Sequence, residues 1–330
     1  MVAKNNILGL FATASAIAIA VSALVLLAAT QPVKAAFPGT NGRIVFERDP
    51  DGFRGKEDPE IYSINFSGEN LKRLTNNTTE DTDPAWSADG RKIAYSGGGH
   101  KALDSYSADL FVMEANGSGV TRVTIEREIP GAATADDSQP SFSPSGRKIA
   151  FVRNGPLAEG YSSNNDIYKI GTDGNSLTRL VNIPSYEYRS GGHPAWSPDG
   201  TRIAFFSGIE DDYSIETVRP DGTGRKSVTT GYAPNWSPDG SRMAFHRSPD
   251  GYESQIYTSN ADGTHEKPLT TNEAAYESEP AYSPGGGKIV FSSDRDGDYD
   301  LYIMDADGTD VRQLTNNAGD DHSPDWQPVQ

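Results

Sequence analysis

The sequence predicts an all-β fold, a six-bladed β-propeller of four-stranded antiparallel blades. Three observations predict it. A word built around one aromatic residue recurs at intervals of 40 to 56 residues, a second word follows each copy, and the chain ends on a first word with nothing behind it.

The first word reads DPAWSADGRKIAYSG, QPSFSPSGRKIAFVR, HPAWSPDGTRIAFFS, APNWSPDGSRMAFHR and EPAYSPGGGKIVFSS. These copies place Trp86, Phe142, Trp196, Trp236 and Tyr282 in register. The "PxW" segment is a short strand that tolerates proline at its end. The Asp-Gly or Ser-Gly that follows turns the chain, because these residues accept φ > 0 cheaply. "KIAF" is a second strand that alternates bulky and small side chains. The second word, as in DLYIMDADGTD, gives a third strand and a second turn, and segments such as VRQLT give a fourth. A four-stranded meander with two apolar faces cannot stand alone, and radial packing of copies buries both faces. The N-terminal region supplies GRIVFE, EIYSI and LKRLT, a unit without its first strand. The C-terminal SPDWQP is a first strand without a unit. The C-terminal strand is therefore expected to pair into the first blade. That closure leaves no open sheet edge.

Two domains are expected: residues 1–36 as a signal peptide or N-terminal membrane anchor, and residues 37–330 as the propeller. Lys4 precedes an uncharged run from Ile7 to Ala29, and PVKAA offers small residues for an export cleavage site. Contact with a membrane is expected only through residues 7–29, if they are retained. Either way the remainder is exported, to the periplasm or an extracellular, envelope-associated position. With 46 Asp+Glu against 29 Lys+Arg, the chain lacks the cationic surface that nucleic acid requires. With no cysteine, disulfides and thiol chemistry are excluded.

The "WSPDG-IAF…IY-MDADG" pattern resembles the TolB-type (WD-like) β-propeller repeat. It is also similar to propellers attached to prolyl-oligopeptidase-like peptidases. The resemblance is to the propeller module alone, without the N-terminal domain of TolB proper. Nor is there a Gly-x-Ser-x-Gly nucleophile elbow. The resemblance implies a monomeric cell-envelope scaffold that engages a protein or peptide partner at its channel and needs no cofactor. Carbohydrate is the other ligand class considered. The enzyme alternative is a polysaccharide lyase or hydrolase with a metal or acid–base site at the channel, and it would draw on His193, His322 and channel carboxylates. The propeller-type oligogalacturonate lyases, which hold a metal with histidines in a related fold, motivate that alternative.

Strand alternation puts the two short turns of each blade on one face and the long, variable connections on the other, where binding is expected. The residues entering each "PxW" strand are Asp81, Asp83, Asp137, Gln139, His193, Glu277, Glu279, Asp321 and His322. Together they read as an acidic channel mouth suited to a cationic group. Rim aromatics come from the loops between second and third strands: Phe53, Tyr106, Tyr161, Tyr213, Tyr252 and Tyr299. The DRDGDYD loop offers Asp294, Asp296 and Asp298 as weak metal candidates, at spacing unlike an EF-hand. His100, His193, His246, His265 and His322 show no ligand spacing and read as surface side chains. Glu216 stands where the other third strands carry Tyr or Phe, and either an arginine partner, such as Arg202 or Arg219, or local exposure of blade four is expected.

Overall fold

The computed structural model describes residues 39–52, 57–99, 108–124, 135–155, 164–183, 189–209, 212–249, 253–271 and 274–329. The segment expected to be a leader or anchor lies outside these residues, as do Phe53, His100, Tyr106, Tyr161 and Tyr252. No helix among the described residues is long and apolar enough to cross a membrane.

Six four-stranded antiparallel sheets form, each with the meander read from the repeat. Blade one holds β1 (Thr40–Asp49), β2 (Glu60–Asn65) and β3 (Lys72–Arg73). Blade two holds β4 (Glu80–Trp86), β5 (Lys92–Gly99), β6 (Asp109–Glu114) and β7 (Thr121–Arg122). Blade three holds β8 (Asp136–Phe142), β9 (Lys148–Gly155), β10 (Asn164–Gly171) and β11 (Thr178–Val181). Blade four holds β12 (Arg189–Trp196), β13 (Ile203–Ile209), β14 (Asp212–Val218) and β15 (Lys226–Thr230). Blade five holds β16 (Tyr232–Trp236), β17 (Arg242–Arg247), β18 (Gln255–Asn260) and β19 (Lys267–Pro268). Blade six holds β20 (Glu277–Tyr282), β21 (Lys288–Ser293), β22 (Asp300–Asp305) and β23 (Arg312–Gln313). The last strand, β24 (Asp320–Val329), pairs with β1 and completes blade one, with Trp326 opposite Ile44. Closure is as the sequence predicts.

The first turn of each repeat is held by its own polar side chains. Ser87 Oγ donates to Asp89 Oδ1 at 2.7 Å, and the same bond recurs at Ser197–Asp199 and Ser237–Asp239 at 2.6 Å. Gly90 adopts φ 67°. A Cβ there would also lie 2.2 Å from the Pro328 carbonyl oxygen, so this turn needs glycine for conformation and for approach of the tail.

Buried hydrophobic residues fall into six clusters, one at each blade interface. The cluster between blades six and one joins Trp326, Ile44 and Phe46 to Ala281, Val290 and Leu301. The next joins Val45 and Ile61 to Trp86, Ile93 and Met113. The core is thus a ring of equivalent layers.

Neighbouring blades are also tied through the variable residue of "PxW". Where it is polar, its side chain accepts a backbone N–H from the next blade: Asp325 Oδ2 from Trp86 at 2.6 Å, Ser141 Oγ from Trp196 at 3.3 Å, Asn235 Oδ1 from Tyr282 at 3.0 Å. Where it is alanine, the carbonyl can serve instead. Ala195 accepts from Trp236 Nε1 at 3.1 Å, and Ala281 from Trp326 Nε1 at 3.2 Å. Polar residues and alanines alternate around the ring.

Burial pushes the Asp325 carboxyl up to about 7, against the pull of the Trp86 and Trp326 amides. A raised carboxylate pKa means the folded state binds the proton more tightly than the unfolded chain. Its contribution is therefore complete below about pH 4 and lost as pH rises to about 7. Asp325→Asn is expected to keep the Trp86 bond, as Asn235 does in blade five, and to flatten stability against pH in that window. Urea unfolding at a series of pH values checks this, and an unchanged slope would contradict it.

Glu216 has an arginine partner, but not the one expected. Arg225 Nε and Nη2 meet its two oxygens at 2.6 and 2.8 Å, and Ser207 Oγ donates at 2.6 Å. Arg202 instead donates to the Gly224 carbonyl at 3.0 Å. Arg225 lies on the loop entering the neighbouring β15, which the spacing within β14 could not reveal.

Candidate functional site: an acidic and aromatic channel mouth

One residue per blade stands in the left-handed region immediately before the proline of its innermost strand. These are Asp83, Gln139, His193, Ala233, Glu279 and Ser323, with φ of 51°, 54°, 45°, 45°, 53° and 52°. Residues before proline ordinarily adopt extended backbone, so a repeated αL conformer here is a built feature. It coincides with a register shift in every innermost strand, as between Thr82 and Ala85 or Ser278 and Ala281. The bulge turns all six residues into a channel cavity of about 160 Å³, which they line together with the six prolines that follow.

The same bulge divides the residues that the sequence grouped together. Two residues apart in a regular strand would share a face, so Asp81 and Asp83, or Glu277 and Glu279, were expected side by side at the mouth. The extra residue breaks that alternation. Asp83, Gln139, His193 and Glu279 line the cavity. Asp81, Asp137, Glu277 and Asp321 are buried within their blades, at 2%, 1%, 0% and 0% exposure. Asp137 meets Arg153 through two 2.6 Å bonds, Asp321 meets Arg48 at 2.6 and 2.8 Å, and Glu277 pairs with Arg295. Buried charges paired in this way hold the sheet.

The ring residues are linked by bonds that pass from blade to blade. The His193 amide donates to Gln139 Oε1 at 2.7 Å, and the Gln139 amide to Asp83 Oδ2 at 3.3 Å. Gln139 Nε2, which can only donate, lies 3.0 Å from His193 Nε2. The Ser323 amide donates to Glu279 Oε2 at 2.7 Å. In blades one and five the ring residue is small, and the second strand supplies the acceptor instead. The Asp83 amide bonds Glu47 Oε2 at 2.7 Å, and the Glu279 amide bonds His246 Nδ1 at 3.3 Å. Glu47 and His246 occupy equivalent positions, one residue after the phenylalanine of β1 and β17.

Glu47, Asp83 and Glu279 form the acidic sector. Burial, followed by the charges of Asp83 and Glu279, pushes Glu47 well above the usual carboxylate range. Burial also raises Asp83, with His193 opposing. Glu279 resists its own burial through His322, His193 and the Ser323 amide, and is held below its ordinary value. Burial pushes His246 down to about 4, so its ring is neutral near pH 7 and can accept through Nδ1. His246 is 7% exposed, which corrects its expected place at the surface.

Aromatic rings form a run from blade four through blades five and six to His322 of blade one, which pairs opposite Glu47. His193 faces Phe206 at 5.9 Å between centroids. Phe206 lies 5.4 Å from Tyr232 and 5.8 Å from Tyr213, and Tyr232 stacks on His246 at 5.2 Å. The series continues through Tyr276 (6.3 Å), Tyr299 (6.5 Å) and His322 (4.4 Å). Tyr213, Tyr299, His193 and His322 were expected here. Phe206, Tyr232, His246, Tyr276 and Glu47 were not. Alignment of the second strands carried a signal, since the column after the aromatic reads Glu47, Ser96, Val152, Phe206, His246 and Ser292.

Asp296, Asp298 and Asp300 bring one oxygen each within 4.8 Å of one another. They are the only such group of three His, Asp or Glu among the described residues. Gln313 donates to Asp296 and Asp300, and Thr315 to Asp300, so the turn is held by its own side chains. Asp294 is drawn elsewhere and accepts the Tyr276 amide at 2.6 Å. Among the described residues, His193 and His322 do not converge with a carboxylate in this way.

The family model for the TolB beta propeller domain matches residues 27–229 and 193–330. This chain belongs to that family. The "Uncharacterized peptidase YuxL" of Bacillus subtilis is 37% identical over 233 residues, 68% of this chain and 32% of that protein. The "Protein TolB homolog" of Chlorobium luteolum is 29% identical over 170 residues, 48% of this chain and 36% of its own length. The chain thus spans about a third of these curated relatives. TolB from Acinetobacter baumannii superimposes with a TM-score of 0.69 at 22% identity, covering 87% of this chain and 67% of that one. At that identity the likeness is one of fold. This TolB-type propeller therefore shares its scaffold with that structure.

Proposed function

We propose that this propeller is an exported cell-envelope binding module that receives a segment of a protein or peptide partner at the long-loop mouth of its channel. One observation carries the reading: the carboxylates of Glu47, Asp83 and Glu279 stand beside a run of rings from His193 and Phe206 round to His322, which pairs opposite Glu47. Carboxylates of this kind attract a cationic group. Aromatic rings offer large apolar contact at little entropic cost, as in the anchor residues of interfaces. A segment with a cation beside an apolar side chain satisfies both sectors. The TolB names among the relatives support the envelope setting.

The test is the variant Glu47→Gln, Asp83→Asn, Glu279→Gln. Asparagine tolerates the left-handed backbone at position 83, so the ring geometry is kept. Quantitative capture from the native envelope fraction is expected to show at least one partner retained by the parent protein and lost by the variant. Affinity should fall about tenfold or more, since a hydrogen-bonded charge contributes about 1.5–3 kcal/mol. An identical set of partners bound equally well by both would overturn the reading.

A further inference from the structure

The carboxamide of Gln139, in blade three, is oriented by the backbone of blade four. The His193 amide donates to Gln139 Oε1 at 2.7 Å. A backbone N–H can only donate, so this bond settles which end of the carboxamide is oxygen. Gly192 permits the approach, since a Cβ there would lie 2.5 Å from Gln139 Oε1. The other end, Nε2, is then a donor, and it stands 3.0 Å from His193 Nε2. That contact is a hydrogen bond when the ring nitrogen carries no proton. His193 is therefore neutral in this arrangement, with its proton on Nδ1.

Protonation breaks the arrangement. A proton on His193 Nε2 sets two donors against each other. Turning the carboxamide over relieves that clash and creates another, between its NH2 group and the His193 amide. One of the two bonds is lost either way. The charged ring has acceptors in the same cavity, which Asp83, Gln139, His193 and Glu279 all line. Charge on His193 acts on Asp83 of β4, Glu279 of β20 and His246 of β17, and Phe206 of β13 packs against its ring at 5.9 Å. Burial keeps His246 neutral near pH 7, so it does not repel a second cation there. Asp137, Asp321 and Glu277 each meet an arginine. Asp83 and Glu279 form no ion pair with lysine or arginine among the described residues.

We propose that Gln139 and His193 form a proton-operated latch on the mouth: Gln139 holds the neutral ring back, and the protonated ring is released to pair with Asp83 and Glu279 in place of a partner's cation. The proposal rests on the reading of the mouth as a site for a cationic group, and adds its regulation. The latch has a direction. The neutral ring leaves the carboxylates to an incoming cation, whereas the protonated ring supplies the cation from within. Acidification therefore loosens the hold on a partner. Histidine is the side chain that changes charge in mild acid.

The test is NMR of the full chain, with labelled histidine rings and carboxyl carbons, from about pH 5 to 8. At the upper end of that range, long-range proton–nitrogen correlations are expected to show His193 protonated on Nδ1 and bare on Nε2. The Asp83 and Glu279 carboxyl carbons should shift with the same midpoint as the His193 ring. Gln139→Leu removes a bond that the neutral ring alone makes, so the His193 titration should move up by about half a pH unit or more. Gln139→Glu keeps the shape, still accepts the His193 amide and offers Nε2–H an acceptor. It should move the titration up by about one pH unit or more. The probe for the mouth is acetyl-lysine-amide. Its saturable shift of the Glu279 carboxyl carbon should weaken about threefold or more on going from about pH 7.5 to 5.5, and by less in His193→Asn, since asparagine tolerates the left-handed backbone but does not titrate. A His193 proton on Nε2 at the upper end of the range, an unmoved titration in Gln139→Glu, or the full pH dependence in His193→Asn would overturn the latch. None of those results touches the mouth reading itself, which fails instead if the triple carboxylate variant captures the same partners equally well.

Discussion

Ending the chain at Gly319 is expected to abolish cooperative unfolding, leaving a protein without a single thermal transition. The truncation removes β24, and with it the innermost strand of blade one. Trp326, 2% exposed, leaves the cluster it shares with Ile44, Phe46, Ala281, Val290 and Leu301. Its indole bond to the Ala281 carbonyl is also lost. So is Gln327, which accepts the Arg43 amide at 3.2 Å and donates to the Gly90 carbonyl at 2.8 Å, tying blade one to blade two. Removing one buried tryptophan costs about 3–5 kcal/mol, against a total stability of about 5–15 kcal/mol for a typical domain. Loss of the whole strand exceeds that margin and exposes β1 as an open edge. Trp326→Ala alone should keep the fold and lower its stability by about 3–5 kcal/mol. Calorimetry distinguishes the cases, and a truncated protein that melts like the full chain would contradict closure.

The second large effect is expected at Arg48. Its guanidinium meets Asp321 through bonds of 2.6 and 2.8 Å, with side-chain exposures of 12% and 0%, and lies over the Phe46 and Tyr62 rings. Arg48→Ala leaves a buried carboxylate without its cation and should destabilise by about 3–5 kcal/mol. Replacing both partners, as in Arg48→Met with Asp321→Leu, should cost much less, because no charge is then stranded. The exposed pair Lys288–Asp305, with side chains 37% and 35% exposed, provides the contrast. Lys288→Ala should cost at most about 1 kcal/mol. Urea unfolding of the parent and the three variants compares the losses. Equal losses at Arg48 and Lys288 would show that the ring-stacked pair is no more than a surface contact.

The fold was legible because each blade repeats the same local rules. Trp86, Phe142, Trp196, Trp236, Tyr282 and Trp326 recur in register, and each is buried between blades. Asp-Gly and Ser-Gly mark the turns that glycine's backbone permits. The site was legible only in part. Asp83, Gln139, His193 and Glu279 line the cavity, whereas Asp137, Glu277 and Asp321 pair with arginines inside the blades and Asp81 is buried there. The bulge before each proline separates the two sets, and period-two counting cannot see a bulge. Glu47 and Phe206 escaped notice because they sit in second strands, and only ring closure and radial packing bring those positions to the mouth. Glu216 shows the same limit: its partner, Arg225, lies on a neighbouring strand's approach rather than at a spacing within its own.

The central claim, that partners dock at the acidic and aromatic mouth, is tested most directly by site-specific photocrosslinking in the native envelope. A photoreactive residue at Tyr276, a 37% exposed ring of the arc, is compared with one at Asp262 in an exposed turn on the opposite face. The account predicts adducts from position 276 that disappear in the Glu47→Gln, Asp83→Asn, Glu279→Gln background, and none from position 262. Adducts formed from position 262 alone, or from 276 undiminished in that background, would contradict it.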